Sequence, residues 1–162
     1  MAIGVDHRDT SLAGKSRPPV DPAATVLVHD ACIGPGWLDI PRWTETIFFP
    51  LALLSGGGAI VIDDAEECAE HLRTLQDTAR LRGAVGLRTR IITQSLPAPN
   101  MALVSSQRDH VNEAGTVVST TSITWSLILT PDGWRINQIH FNDARNDPSV
   151  VSEILRDSGG VE

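Results

Sequence analysis

Apolar positions recur at helical spacing through much of the first half of the chain and alternate with polar ones through most of the second. The clearest helical stretch is DDAEECAEHLRTLQDTARLRG. There Ala65, Cys68, Ala69, Leu72, Leu75 and Ala79 form one buried stripe. Asp63 or Asp64 caps it, with Glu66 or Glu67 three residues on, and Gly83 stops it. Acids crowd its first turn and Arg73, Arg80 and Arg82 its end, as the helix dipole favours. Upstream, Asp21 and Pro22 open a helix through DPAATVLVHDACIGPG. Asp39 opens a second through IPRWTETIFF, which Pro50 is expected to close. LALLSGGGAIVI reads as two short strands around a glycine turn. It lacks the Lys-Ser/Thr and the glycine spacing of a phosphate loop.

Downstream of Gly83 the pattern is strands: GLRTRIITQSL, MALVSSQRDHV, TVVSTTSITWSLIL and WRINQIHF, separated by PAPN, NEAG and TPDG. A short helix, PSVVSEILRD, follows. Helices first and antiparallel strands afterwards predict an α+β domain, a curved sheet wrapped over the helices. Residues 1–20 read as a disordered leader, 21–145 as the domain, and 146–162 as a C-terminal helix and tail.

The last hairpin carries the most specific expectation. With Pro131 and Asp132 alone in the loop, Leu129 faces Trp134, Leu127 faces Ile136, Trp125 faces Gln138 and Ile123 faces His140. This register segregates apolar from polar best. A bulge at Gly133 is the alternative, and it sets Trp125 beside Ile139. In both, strand period keeps Gln138 and His140 on the face of Trp134 and Ile136.

Composition narrows the classes. The chain has 162 residues, 41% hydrophobic and 20% charged, enough for one domain with a core. A formal charge of −7, with its 13 Lys and Arg scattered, argues against nucleic acid or an anionic membrane as partner. No apolar leader or membrane span is read, because Pro50 and Gly56 to Gly58 interrupt the longest uncharged run. Cys32 and Cys68 lack metal spacing and read as reduced packing residues of a cytoplasmic protein. No His/Asp spacing resembles a ligand set, so neither a metal nor a cofactor is expected.

Two short helices, a Pro-interrupted apolar segment, a long capped helix ending in RLRG, then NMALVSSQRDHVNEAG and STTSITWSLILTPDGWRINQIHFND follow in a telling order. Over roughly residues 22–143, and most of all in DGWRI at the end of the last hairpin, the chain resembles the nuclear transport factor 2-like superfamily, particularly its SnoaL-like members. The resemblance implies a cystatin-like cone, a homodimer packed through the outer sheet face, and a pocket between helices and sheet. The fold hosts ketosteroid isomerase, polyketide cyclases and non-catalytic binders alike, so it does not fix a reaction. There is no Tyr in the chain, which removes the tyrosine donor of ketosteroid isomerase and scytalone dehydratase.

Two functions are therefore carried. The first holds a small hydrophobic organic molecule in the cone, with cofactor-free isomerisation, cyclisation or dehydration by acid–base chemistry. The second is a non-catalytic ligand-binding or protein-interaction dimer. His140 and Asp30 are the acid–base candidates. Asp30 and His29 are adjacent on the first helix and point different ways, so one of them reaches the pocket. Arg108, like His110, shares parity with Ala102 and Val104, and orients an anionic group or ends a charged strand. Arg88 and Arg90 carry the same ambiguity. Trp37, Trp43, Trp125 and Gln138 complete the candidate ligand wall, while Trp134 reads as core. Thr120, Ser122, Thr124 and Ser126 are expected on the dimer surface.

Overall fold

A computed structural model describes residues 21–34, 37–56 and 58–142. The expected leader and the PSVVSEILRD helix lie outside the described residues, as do the side chains of Trp37, Leu75 and Ala79. Helix α1 spans Pro22–Ala31 and α2 Ile40–Thr44, with a two-residue clasp of β1 (Ile33–Gly34) and β2 (Trp37–Leu38) between them. Then come β3 (Ile47–Ser55), β4 (Gly58–Ile62), helix α3 (Ala65–Leu81), β5 (Gly86–Ala98), β6 (Met101–Val111), β7 (Val117–Thr130) and β8 (Gly133–Phe141). The six long strands form one curved, unclosed sheet in the order β4-β3-β8-β7-β6-β5. All pairs are antiparallel except β3 with β8.

Local chemistry sets most of the boundaries. The Asp21 side chain accepts from the Ala23 amide (3.2 Å), and Pro22 begins α1. Asp64 accepts from Glu67 N (2.9 Å) while Glu67 reaches back to Asp63 N (3.1 Å), close to a capping box for α3. Gly83, at φ 89°, takes the left-handed conformation that ends α3.

The second helix is shorter than expected. It stops at Thr44, and Ile47, Phe48 and Phe49 belong to β3 instead. Two anchors explain this. Ile136 N donates to Thr46 O (2.8 Å), and Ile47 pairs with Ile136. Tertiary pairing therefore overrides a weak helical pattern rich in aromatic and β-branched residues. Pro50 sits inside β3, where pairing with β8 is suspended between Ile47 and Ala52, so its missing N–H breaks no ladder bond.

The last hairpin starts as expected. Thr130 pairs with Gly133, Leu129 with Trp134 and Leu127 with Ile136. Then β8 gains one residue, Asn137, and the register moves. Ser126 pairs with Gln138, Trp125 with Ile139, Thr124 with His140 and Ile123 with Phe141. The expected pairs Trp125–Gln138 and Ile123–His140 do not form. A bulge does place Trp125 beside Ile139, but at Asn137 rather than Gly133. Strand period fails to hold Gln138 and His140 on the face of Trp134 and Ile136, because the bulge turns every later residue over. Ile139 and Phe141 are buried in their place, and Gln138 and His140 are exposed.

The core lies between the sheet's concave face and the helices. Trp43, Trp125, Ile47, Leu51, Ile123 and Ile136 are among its fully buried members. Cys68 and Ala69 seat α3 on it, as the helical stripe requires.

Candidate functional site

Helix α1 crosses the concave face and is pinned along its length. Ala23 N donates to Gln94 Oε1 of β5 (2.9 Å), and Thr25 Oγ1 donates to Trp134 O at the start of β8 (3.3 Å). Its last turn then delivers His29 and Asp30 to β5 and β6. Both are buried, at 4% exposure each. On β6, Ala102, Val104 and Ser106 are buried on the concave face, and Arg108 continues their alternation. Thr89 of β5 lies directly opposite Arg108.

These side chains form one hydrogen-bonded cluster. Arg108 donates to Asp30 twice, from Nη2 to Oδ1 (2.6 Å) and from Nε to Oδ2 (3.4 Å). Thr89 Oγ1 donates to Asp30 Oδ2 (2.5 Å). His29 Nδ1 lies 3.0 Å from Asp30 Oδ1, and the Trp43 indole N–H donates to His29 Nε2 (2.9 Å). An indole is a donor only, so Nε2 presents its lone pair and the imidazole proton sits on Nδ1, facing Asp30. Trp125 closes the group. Its ring meets His29 edge-on at 5.1 Å, lies 5.7 Å from the Arg108 guanidinium carbon, and its indole donates to Ser106 Oγ (2.8 Å).

The electrostatics follow from this wiring. Burial lowers the His29 pKa, and the hydrogen bond and charge of Asp30 only partly offset it, so the ring is neutral near pH 7. For Asp30, burial alone would raise the pKa. The charge of Arg108, with the bonds from His29 and Arg108, outweighs burial and holds the carboxyl well below the usual carboxylate range. The cluster is a neutral imidazole beside a charge-balanced carboxylate–guanidinium pair.

The sequence candidates divide accordingly. Asp30, Arg108, Trp43 and Trp125 are brought together, and both Asp30 and His29 turn inward although they are adjacent. Arg88 and Arg90 do not join them. Both are exposed, and Arg90 bonds Gln107. His110 stays near the strand end, with Nδ1 3.2 Å from Ser119 Oγ. His140 and Gln138 lie on the opposite face of the sheet, paired with Thr124 and Ser126. The Trp37 side chain, expected in the ligand wall, lies outside the described residues. Sequence reasoning missed Thr89 and Ser106, although alternation against Arg88, Arg90 and Ser105 marks both as inward-facing. Among the described residues no group of three or more His, Cys, Asp or Glu is arranged to hold a metal, and no helix is long and apolar enough to cross a membrane.

No family model matches the sequence, and no curated protein matches it. Solved structures do match the fold. A protein of unknown function with a cystatin-like fold from Nostoc punctiforme aligns at TM-score 0.60 and 14% identity, covering 83% of this chain and 97% of that one. A nuclear transport factor 2-like protein of unknown function from Shewanella oneidensis aligns at TM-score 0.55 and 16% identity, covering 75% and 95%. A ketosteroid isomerase-like protein from Erwinia carotovora atroseptica aligns at TM-score 0.53 and 19% identity, covering 74% and 91%. At such identities the likeness speaks for the fold alone: an α+β domain of the nuclear transport factor 2-like, cystatin-like type, as DGWRI and its surroundings imply.

Proposed function

We propose that this chain binds a small, largely apolar organic molecule against the concave face of its sheet, and that it binds without transforming it. One observation carries this: a buried carboxylate–guanidinium pair, with Trp125 against the guanidinium and Trp43 bonded to the neighbouring His29, is set into the concave face. Replacing such a pair by well-packed apolar residues is often neutral or stabilising, so stability alone is a weak reason for it. Perturbed, buried ionisable groups cluster at functional sites.

The same wiring favours binding over acid–base catalysis. The Asp30 carboxylate is neutralised and held low, which makes it a poor base. His29 has a partner on each nitrogen and needs Trp43 to withdraw before it can accept a proton. His140 faces away from the cluster. Isomerisation, cyclisation or dehydration by Asp30 and His140 thus finds less support than a ligand-binding role.

The proposal includes a homodimer through the outer sheet face and a cytoplasmic setting. The two buried free thiols support reducing surroundings. Burial, with the charge of Glu67 adding, pushes the Cys68 thiol up to about 12, so it is inert.

A thermal-shift screen of steroids, terpenoids, polyketides and small aromatic acids tests the binding role. Ile91, beside Ser106 on the concave face, provides the block, and His140 the control. A stabilising hit should lose its shift in Ile91→Trp and keep it in His140→Ala. A shift that survives Ile91→Trp but vanishes in His140→Ala moves binding to the outer face and defeats the proposal.

A further inference from the structure

The geometry points to a charge rule for the ligand. We propose that Arg108 anchors it through an uncharged oxygen acceptor, such as an amide, ester or ketone, and that the site disfavours a carboxylate. This rests on the small-molecule role above.

Arginine has five N–H donors in a planar fork. Arg108 spends Nε and Nη2 on Asp30, and among the described residues its Nη1 finds no acceptor. The side chain of Arg108 keeps 13% of its surface accessible, against 4% for Asp30, so the reachable part of the pair is the arginine. Ile91, half-buried on the same face two residues along β5 from Thr89, supplies an apolar wall at the same place. A ligand with a flat apolar body and one acceptor matches both.

Charge then selects the acceptor. Asp30 and Arg108 sum to zero. His29 adds nothing, because the Trp43 indole occupies the nitrogen that protonation would need. Asp109 faces away, bonded to Thr120, and His110, two residues along from Arg108 on the same face, has its Nδ1 3.2 Å from Ser119 Oγ. An incoming carboxylate would leave one uncompensated negative charge beside Asp30, in surroundings that solvate it poorly. A chain of formal charge −7 adds repulsion of the same sign. A neutral carbonyl takes a charge-assisted hydrogen bond from Nη1 with no excess charge.

Three probes of one shape test this: 2-naphthamide, 2-naphthoate and naphthalene, titrated at neutral pH while the Trp125 indole N–H resonance is followed. Wild type should bind the amide about ten-fold more tightly than either of the others, the usual size of a hydrogen bond to a charged donor. Arg108→Lys keeps a cation opposite Asp30 but loses the fork, and should bring the amide down to the level of naphthalene. Asp30→Asn frees the positive charge and should invert the order, with naphthoate bound most tightly. Naphthoate tightest in wild type, or an unchanged order in Asp30→Asn, overturns the rule. The wild-type order is decisive even where a variant fails to fold. Equal binding of all three probes leaves the binding role standing and removes the Arg108 anchor. No binding of any probe, together with an empty thermal-shift screen, removes the binding role itself.

Discussion

Asp30 holds its charge in the core only because Arg108 is there. Breaking such a pair from one side leaves a buried, uncompensated ion and costs about 3–5 kcal/mol. We expect Arg108→Met to lose stability of that order in urea unfolding, and Asp30→Asn combined with Arg108→Met to regain most of it. A double variant as unstable as the single one would mean that packing, not charge, is at stake. His29 adds a pH dependence with a definite sign. Its pKa is lowered in the folded chain from the ordinary value of 6.5, so the unfolded chain binds the proton first. Its contribution is therefore complete above pH 6.5 and declines as pH falls below it. Asp30 acts in the same direction at lower pH, because its folded pKa lies below the ordinary 3.8. The melting temperature should be level above neutrality and fall from about pH 6.5 downwards. His29→Gln, which has no charge to gain, should flatten the upper part of that fall. A melting temperature that rises on acidification to pH 6 would show that protonated His29 is the favoured form.

At the scale of elements, the one-residue bulge in β8 decides which side chains reach the core. Because Asn137 is the extra residue, deleting it would join Ile136 to Gln138 in simple alternation and leave Ile139 and Phe141 facing inward. Exposing a buried Ile or Phe costs about 1.5–3 kcal/mol each, and the deletion exposes neither. The deletion variant should therefore still unfold cooperatively in urea. Asn137→Ala should be nearly neutral, because the buried Asn137 Oδ1 has no partner to lose. If the deletion variant loses cooperative unfolding, the bulge itself holds the core rather than only setting the facing of β8. This element also marks where sequence reading stops. The helix caps, the Gly83 stop and the two-residue turn at Pro131 and Asp132 are legible because neighbours along the chain create them. The bulge is not. Asn137 carries no glycine or turn signature, and the register shift coincides with the stretch where β3 breaks off pairing around Pro50. Strand period groups Arg108 with Ala102 and Val104, but helix geometry offers only one of Asp30 and His29 to the pocket, whereas both turn inward. Their wiring was not legible, since the state of His29 is set by a tryptophan 14 residues away.

At the scale of the whole molecule, the convex face of the sheet remains. Its middle is formed by Leu103 and Ser105 of β6, Thr124 of β7, Gln138 and His140 of β8, and Leu54 of β3, as the pairings Ser105–Thr124, Thr124–His140 and Leu54–His140 fix. No Asp, Glu, Lys or Arg falls among these, in a chain that is 20% charged. Leu103 keeps 37% of its surface exposed in their midst. Depletion of charge with a partly apolar centre is what distinguishes an interface core from ordinary surface. A two-fold pairing of this face would set like residues against like, which small hydroxyl and amide side chains tolerate and charges do not. Light scattering should therefore give a mass twice the 17.4 kDa of one chain. Thr124→Arg, which sets two like charges against each other at the centre, should give the mass of a single chain while probe binding on the concave face persists. Each chain carries a formal charge of −7, so long-range repulsion opposes association. Added salt screens that repulsion and should tighten the dimer, the reverse of what an interface built on ion pairs would show. A wild-type mass of one chain at micromolar concentration and physiological salt would remove the dimer. Loss of concave-face binding in a folded Thr124→Arg monomer would show instead that the two faces of the sheet are coupled.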